Sequence, residues 1–327
     1  MIKEQYNGTT VYGRIKGIIS KYGIYIAFLL MLILFSVLNP KFLNPKNIIN
    51  IVRQITFNSI LAMGMTMVII TGGIDLSVGS VLALVAVVTA SLVRADSQLL
   101  PFPVAILIGL LLGCLCGFIN GFIVTKGKLA PFITTLVMMT IARGAAQLFT
   151  KGRPISGLNS SFLFVGAGSW LIIPVPIYIL AFIVVISYFI LNNTRTGRYI
   201  YAVGGNEQAA KASGLKVDRT KIFVYAFSGT MAALVGIILT ARLNSAAPVL
   251  GSGYELDAIA ATVIGGTSME GGRGKINRSL IGGLIIGTIS NGLDILNVSA
   301  YWQQIIKGLI ILTAVFIDKI SAENKQG

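Results

Sequence analysis

The segment Thr71-Gly72-Gly73-Ile74-Asp75-Leu76-Ser77-Val78-Gly79-Ser80 decides how this chain is read. It lies between two apolar runs, about 50–70 and 77–95, each long enough to count as a membrane-crossing segment. Paired glycines suit the end of one helix, where left-handed backbone is needed. Asp75 or Ser77 suits the start of the next, accepting a free backbone N–H near the positive helix end. A carboxylate at such a break marks either a cap or a polar pathway. The two roles are compatible, because unwound backbone at depth is tolerated mainly where it lines a cavity.

The composition places this break in a membrane protein. Of 327 residues, 55% are hydrophobic and only 11% are charged, whereas soluble domains carry roughly 25% charged residues. Ten apolar segments are expected to cross the bilayer: about 22–39, 50–70, 77–95, 101–125, 131–150, 171–191, 221–242, 254–267, 279–297 and 302–318. The first ends in Leu38-Asn39-Pro40 without a small-residue cleavage site, and reads as a retained span. The eighth is the weakest, being short and carrying Glu255 and Asp257 near its start.

The net charge of +15 follows from loop lysines and arginines, which form no single stripe of the kind that binds nucleic acid. With the N-terminus inside, 17 of the 26 fall in cytoplasmic segments, from Lys3 to Lys325. Seven fall outside, and two, Arg143 and Lys307, within spans. Both termini are therefore expected to be cytoplasmic. The absence of histidine excludes imidazole chemistry and His-ligated metal. Cys114 and Cys116, two apart on one expected helix, cannot form a disulfide framework.

A weak internal repeat is visible. Gly109, Gly113, Gly117 and Gly121 lead to Asn120-Gly121 in the fourth span. Gly283 and Gly287 lead to Asn291-Gly292 in the ninth. The break before span three has a counterpart, Gly253-Tyr254-Glu255-Leu256-Asp257, before span eight. The expected fold is an all-α polytopic membrane protein, a single transmembrane domain of two inverted five-helix halves, about 1–165 and 166–327. The first break is expected near the cytoplasmic face and the second near the outer face. The glycine ladders read as helix-packing faces.

Glu255 and Asp257 read equally as helix caps or as contacts for a solute or docking protein. Arg143 and Lys307 are expected to snorkel, and Asp294 is a candidate partner for Lys307. In the long loop 192–220, Asn206-Glu207-Gln208-Ala209-Ala210-Lys211-Ala212-Ser213-Gly214 predicts a short helix. Asn206 is its N-cap, Glu207 and Lys211 are four residues apart, and Gly214 stops it. Its polarity makes it a docking surface rather than a lipid-lying helix. No phosphate loop is present: in Gly271-Gly272-Arg273-Gly274-Lys275-Ile276, isoleucine stands where a hydroxyl would bind Mg²⁺. That stretch reads as a tight cytoplasmic turn.

With these motifs in hand, the chain resembles the membrane-spanning permease subunits of ATP-binding-cassette sugar importers, of the ribose permease branch. The resemblance covers about 40–320. It rests on residues 71–80, on Gly204-Gly205-Asn206-Glu207-Gln208-Ala209-Ala210 with Ser213-Gly214, and on Gly253-Tyr254-Glu255-Leu256-Asp257-Ala258-Ile259-Ala260-Ala261. Further likeness lies in Val263-Ile264-Gly265-Gly266-Thr267-Ser268, Gly271-Gly272-Arg273-Gly274 and Ser299-Ala300-Tyr301-Trp302-Gln303-Gln304. The resemblance implies a multi-pass protein of the bacterial plasma membrane that imports a monosaccharide, ribose or a similar sugar. It implies a second permease subunit, an extracytoplasmic sugar-binding protein, and two ATP-binding cassettes that carry ATP and Mg²⁺; the chain itself holds no cofactor or metal and is not an enzyme. The family's coupling loop falls on 205–217, placing Asn206, Glu207, Ala210, Ser213 and Gly214 against the ATPase. The polar pathway or gate is expected along Gly72, Gly73, Asp75, Ser77, Asn120, Tyr254, Glu255, Asp257 and Asn291. The alternative is an ion-coupled secondary transporter using Asp75, Asp257 or Asp294; a membrane enzyme ranks third, for want of a nucleophile–base constellation.

Overall fold

A computed structural model describes residues 11–323, with side chains at 23–316 and 319. Lys3 and Lys325, which the charge asymmetry includes, lie outside the described residues, as do both chain ends.

The chain is helical almost throughout. In order the helices are α1 (Val11–Leu38), α2 (Pro45–Ile70), α3 (Val78–Leu92), α4 (Phe102–Lys126), α5 (Pro131–Thr150), α6 (Ser160–Ala167) and α7 (Val175–Asn193). Then follow α8 (Arg195–Gly205), α9 (Glu207–Ala212), α10 (Val217–Leu243), α11 (Tyr254–Ile264), α12 (Ile276–Ile295) and α13 (Ala300–Glu323). Among the described residues there are also a short 3-10 helix (Pro40–Leu43) and four two-residue strands: β1 (Ile155–Ser156), β2 (Ser169–Trp170), β3 (Ile173–Pro174) and β4 (Ser245–Ala246). β1 pairs antiparallel with β4, and β2 with β3. The strands lie at one end of the bundle and α8–α9 at the other.

Each of the ten apolar segments coincides with a helix. Among the described residues, five helices (α2, α4, α5, α7 and α10) are long and apolar enough to cross a membrane. α3 and α11 have 15 and 11 residues. At 1.5 Å per residue neither matches a hydrocarbon layer of about 30 Å.

α2 and α10 are the most buried of the long helices, and α3 is sheathed on nearly every side. Around this core the contacts are paired. α10 packs along α4 as α2 packs along α12; α10 touches α3 as α2 touches α11; α3 packs on α5 as α11 packs on α13. The glycine ladders make the two principal seams. A Cβ on Gly117 would fall on the backbone of Tyr225 and Ala226 in α10, so only glycine permits that approach. Gly283 and Gly287 receive Ser59 and Ile55 of α2 in the same way. Leucines and phenylalanines on the outer faces of α1, α4, α5 and α7 remain exposed, including Leu30, Leu111, Val137 and Phe182. Such a girdle is normal where lipid replaces water.

Candidate functional site: two helix breaks that meet

The first break does not close into a tight turn. Thr71 caps α2 through its hydroxyl, which donates to Val68 O at 2.8 Å. Gly72 takes φ +77°, and the chain then runs back along α10. Asp75 is fully buried. Its Oδ1 accepts from Ser77 N (3.0 Å) and Ser77 Oγ (2.6 Å), and its Oδ2 accepts from Ser228 Oγ near the middle of α10 (2.8 Å). Asn120 Nδ2 donates to Ser77 Oγ at 2.9 Å. Asp75, not Ser77, thus satisfies the free N–H; Ser77 makes no side-chain cap bond. Gly73 and Tyr225 are in such close approach that a Cβ on Gly73 would strike the phenol oxygen. Asn120 Oδ1 and Tyr225 OH have no partner among the described residues.

The second break leaves the strand end after Leu243 and dips into the bundle. Gly253 (φ +86°) stands at the start of α11. Tyr254 is half-buried. Glu255 Oε1 accepts from Gly253 N at 3.2 Å. Asp257 is buried and pairs with Lys307 of α13 at 2.8 Å. Its other oxygen, Oδ1, has no partner among the described residues. Arg143 of α5 clasps the same segment, Nη1 donating to Pro248 O (2.8 Å) and Leu250 O (2.9 Å).

Several placements differ from the sequence reading. Lys307 pairs with Asp257, not Asp294, because α13 packs on α11 and brings the ammonium over the latter's first turn. Asp294 accepts instead from Gln54 (3.1 Å) and Gln303 (2.9 Å). Lys307 and Arg143, expected to snorkel, each find an oxygen partner within the protein. The breaks, expected at opposite faces, touch each other. A Cβ on Gly79 would fall on Gly251 O and Glu255 Oε2. The missing signal was helix length: α3 and α11 are short because both begin part-way through the bundle, with their N-terminal ends together.

Asn291 lies elsewhere, buried and in reciprocal amide bonds with Asn47 (2.9 and 3.0 Å) at the strand end. The structure therefore brings Gly72, Gly73, Asp75, Ser77 and Asn120 into one cluster and Tyr254, Glu255 and Asp257 into a second beside it. Asn291 joins neither.

The loop helix forms as its sequence dictates. Asn206 Oδ1 accepts from Ala209 N at 2.9 Å, and Gly214 ends the turn at φ +80°. Glu207 pairs with Lys221 at 2.6 Å rather than with Lys211. Asn206, Glu207, Ser213 and Gly214 are exposed, whereas Ala210 is buried with Val203, Val217 and Leu215. That small core fixes α9 to α8 and α10. The glycine-rich turn sits on the other side of α8. Gly272 N donates to Ile70 O at 2.8 Å, and Tyr201 OH donates to Gly274 O at 2.7 Å. The end of α2, the end of α8 and the turn 271–274 are thus one contact.

Comparison with known proteins decides the family. Residues 47–315 match the family model described as branched-chain amino acid transport system / permease component. The chain belongs to this permease family. It is 50% identical over 306 residues to a ribose import permease protein of Bacillus subtilis (strain 168), covering 93% of this chain and 94% of the relative. It is 48% identical to a ribose import permease protein of Haemophilus influenzae, over 92% and 94% of the two chains. An L-arabinose transport system permease protein of Escherichia coli (strain K12) is 38% identical, over 94% and 92%. No solved structure matches. The permease is thus a multi-pass membrane protein of bacterial type.

Proposed function

We propose that this permease is the membrane-spanning subunit of an ATP-driven importer of a monosaccharide, ribose or a similar sugar. The observation that carries this is half-identity, along nearly the whole of both chains, to a permease named for ribose import. ATP and Mg²⁺ belong on a separate ATPase subunit, an extracytoplasmic binding protein delivers the sugar, and a second copy of the permease completes the membrane part.

The α9 end is read as cytoplasmic, with both termini on that side and ten helices crossing or entering the membrane as two inverted halves, 1–165 and 166–327. Support comes from the excess of Lys and Arg at that end and from the paired packing of α10 on α4 and α2 on α12. The exposed rim of α9 (Asn206, Glu207, Ser213 and Gly214) receives the ATPase, and Ala210 holds it in place. A push on α9 reaches α8 through the Val203–Ala210–Val217 cluster. From α8 it reaches the end of α2 and the turn 271–274 through close backbone contact at Gly204. α2 leads directly into the first break and the turn is continuous with α12, so both halves are addressed from one point.

Ion coupling has less support. Asp75 is saturated by hydroxyl and amide donors, Asp257 is paired with Lys307, and Asp294 is held by two glutamines. The test is reconstitution of the permease with ATPase subunits and a sugar-binding protein in vesicles. ATP-dependent ribose uptake is expected. Uptake by the permease alone, driven by an ion gradient, would overturn the proposal.

A further inference from the structure

Where the two breaks meet, a cavity of about 440 Å³ opens against α5, lined by Ser80, Thr140, Arg143, Gln147, Ser252 and Glu255 among others. Its chemistry differs from that of the surrounding helix faces. α5 elsewhere presents Ile133, Val137, Ile141 and Leu148 to the outside. Along the cavity the same helix presents Thr140, Arg143, Gly144 and Gln147, at the three- and four-residue spacing that puts side chains on one face. Gly144 has nothing within 4 Å of the place its Cβ would take, so the wall there is open.

Three features suit this cavity to a neutral polyol. Arg143 and Glu255 both line it, yet they are not among the ion pairs that form between described residues. A guanidinium donor and a carboxylate acceptor held apart can each take a hydroxyl. Amide and hydroxyl groups at Gln147, Thr140, Ser252 and Ser80 supply both donors and acceptors between them. The N-terminal ends of α3 and α11 converge here, Ser80 entering from the first turn of one and Ser252 and Glu255 from the start of the other. Interrupted helices whose N-termini meet part-way through a bundle are a general way to build a polar site within a membrane. The volume falls within the roughly 300–1,000 Å³ of small-molecule sites.

We infer that this cavity is a sugar subsite of the translocation path, with Thr140, Arg143, Gln147, Ser252 and Glu255 as its hydrogen-bonding groups. The inference rests on the sugar-importer reading above. Arg143 has a second duty, since Nη1 is already committed to Pro248 and Leu250. It therefore positions the second break as well as facing the cavity, and is a poor first target for mutation.

The test uses the reconstituted importer in a background where Cys114 and Cys116 are replaced by alanine. Thr140→Cys and Gln147→Cys are introduced singly and treated with a membrane-impermeant methanethiosulfonate reagent. Modification is expected to slow ribose uptake about tenfold, the loss of roughly 1.4 kcal/mol of favourable interaction. Excess ribose is expected to slow the modification itself, which a purely structural role for these positions would not produce. Gln147→Ala and Gln147→Glu, read by uptake of ribose against a bulkier hexose, provide a second measurement if a thiol variant fails to assemble. A changed pentose-to-hexose ratio is expected. Modification that leaves uptake intact, or that ribose does not slow, would overturn the subsite while leaving the importer reading standing. If the unmutated permease, assembled in the same way, imports no sugar, the importer reading fails and the subsite falls with it.

Discussion

The two breaks start from similar sequence and end as opposites. Each has glycines followed by an acid at or just before the first turn of a short helix, and each acid is buried. At the first break the carboxylate of Asp75 is fully used by three donors from Ser77 and Ser228. At the second, Asp257 is neutralised by Lys307 and keeps one oxygen without a partner, while Glu255 and Ser252 reach an open cavity. Neutral hydroxyls fix a carboxylate at little cost in flexibility. A single ammonium on another helix makes the fixation depend on how that helix is placed. The first break is fastened within the bundle, whereas the second stays open to a cavity and depends on a neighbouring helix.

Removing the ammonium should do most damage. Lys307→Ala leaves the Asp257 charge buried and unpaired, and is expected to cost about 3 kcal/mol, towards the lower end for broken buried pairs, because Lys307 retains some exposure. Thermal unfolding of the detergent-solubilised permease reads this. Asp257→Asn combined with Lys307→Met should recover much of the loss; no recovery would mean that the pair is not what holds α13 to α11.

Next in size is Asp75→Ala, which orphans the Ser77 and Ser228 donors and is expected to cost about 2 kcal/mol. Asp75→Asn keeps an acceptor for Ser77 and can donate to Ser228 Oγ, so it should lose less than half as much in the same assay. Equal losses would show that the negative charge itself is needed, and the first break would then resemble the second.

Gly79→Ala tests the contact between the breaks. Its methyl would meet Gly251 and Glu255, with an expected cost of roughly 1–3 kcal/mol for overpacking and a fall in ribose uptake. A silent substitution would mean that the breaks do not touch in the working protein. Smallest is Glu207→Gln. It removes a half-exposed ion pair to Lys221 and should shift stability by under about 1 kcal/mol. Binding to the ATPase subunit, measured by co-purification, is the more informative readout there.

The helices were legible because lipid demands long apolar runs, and each of the ten runs became a helix. The glycine ladders were legible because four-residue spacing puts small residues on one face whatever lies opposite. The α9 helix was legible from its own caps, since Asn206 and Gly214 act locally. What was not legible depended on partners distant in sequence. Nothing near Lys307 shows that Asp257 rather than Asp294 lies beneath it, and nothing near Arg143 shows that carbonyls at 248 and 250 await it. The meeting of the breaks had a faint signal in the shortness of the eighth span and in Gly79 and Gly251. It needed the path of residues 71–77 along α10, set by a hydrogen bond to Ser228, to become visible.

The contrast between a sealed break and an open one is tested most directly by thiol labelling of Ser77→Cys and Ser252→Cys, side by side in the same assembled importer. Ser77 is 1% exposed and enclosed by Asp75 and Asn120, whereas Ser252 lines the cavity. A membrane-impermeant reagent should modify Ser252→Cys readily and leave Ser77→Cys untouched. Equal labelling, or faster labelling at position 77, would contradict the account.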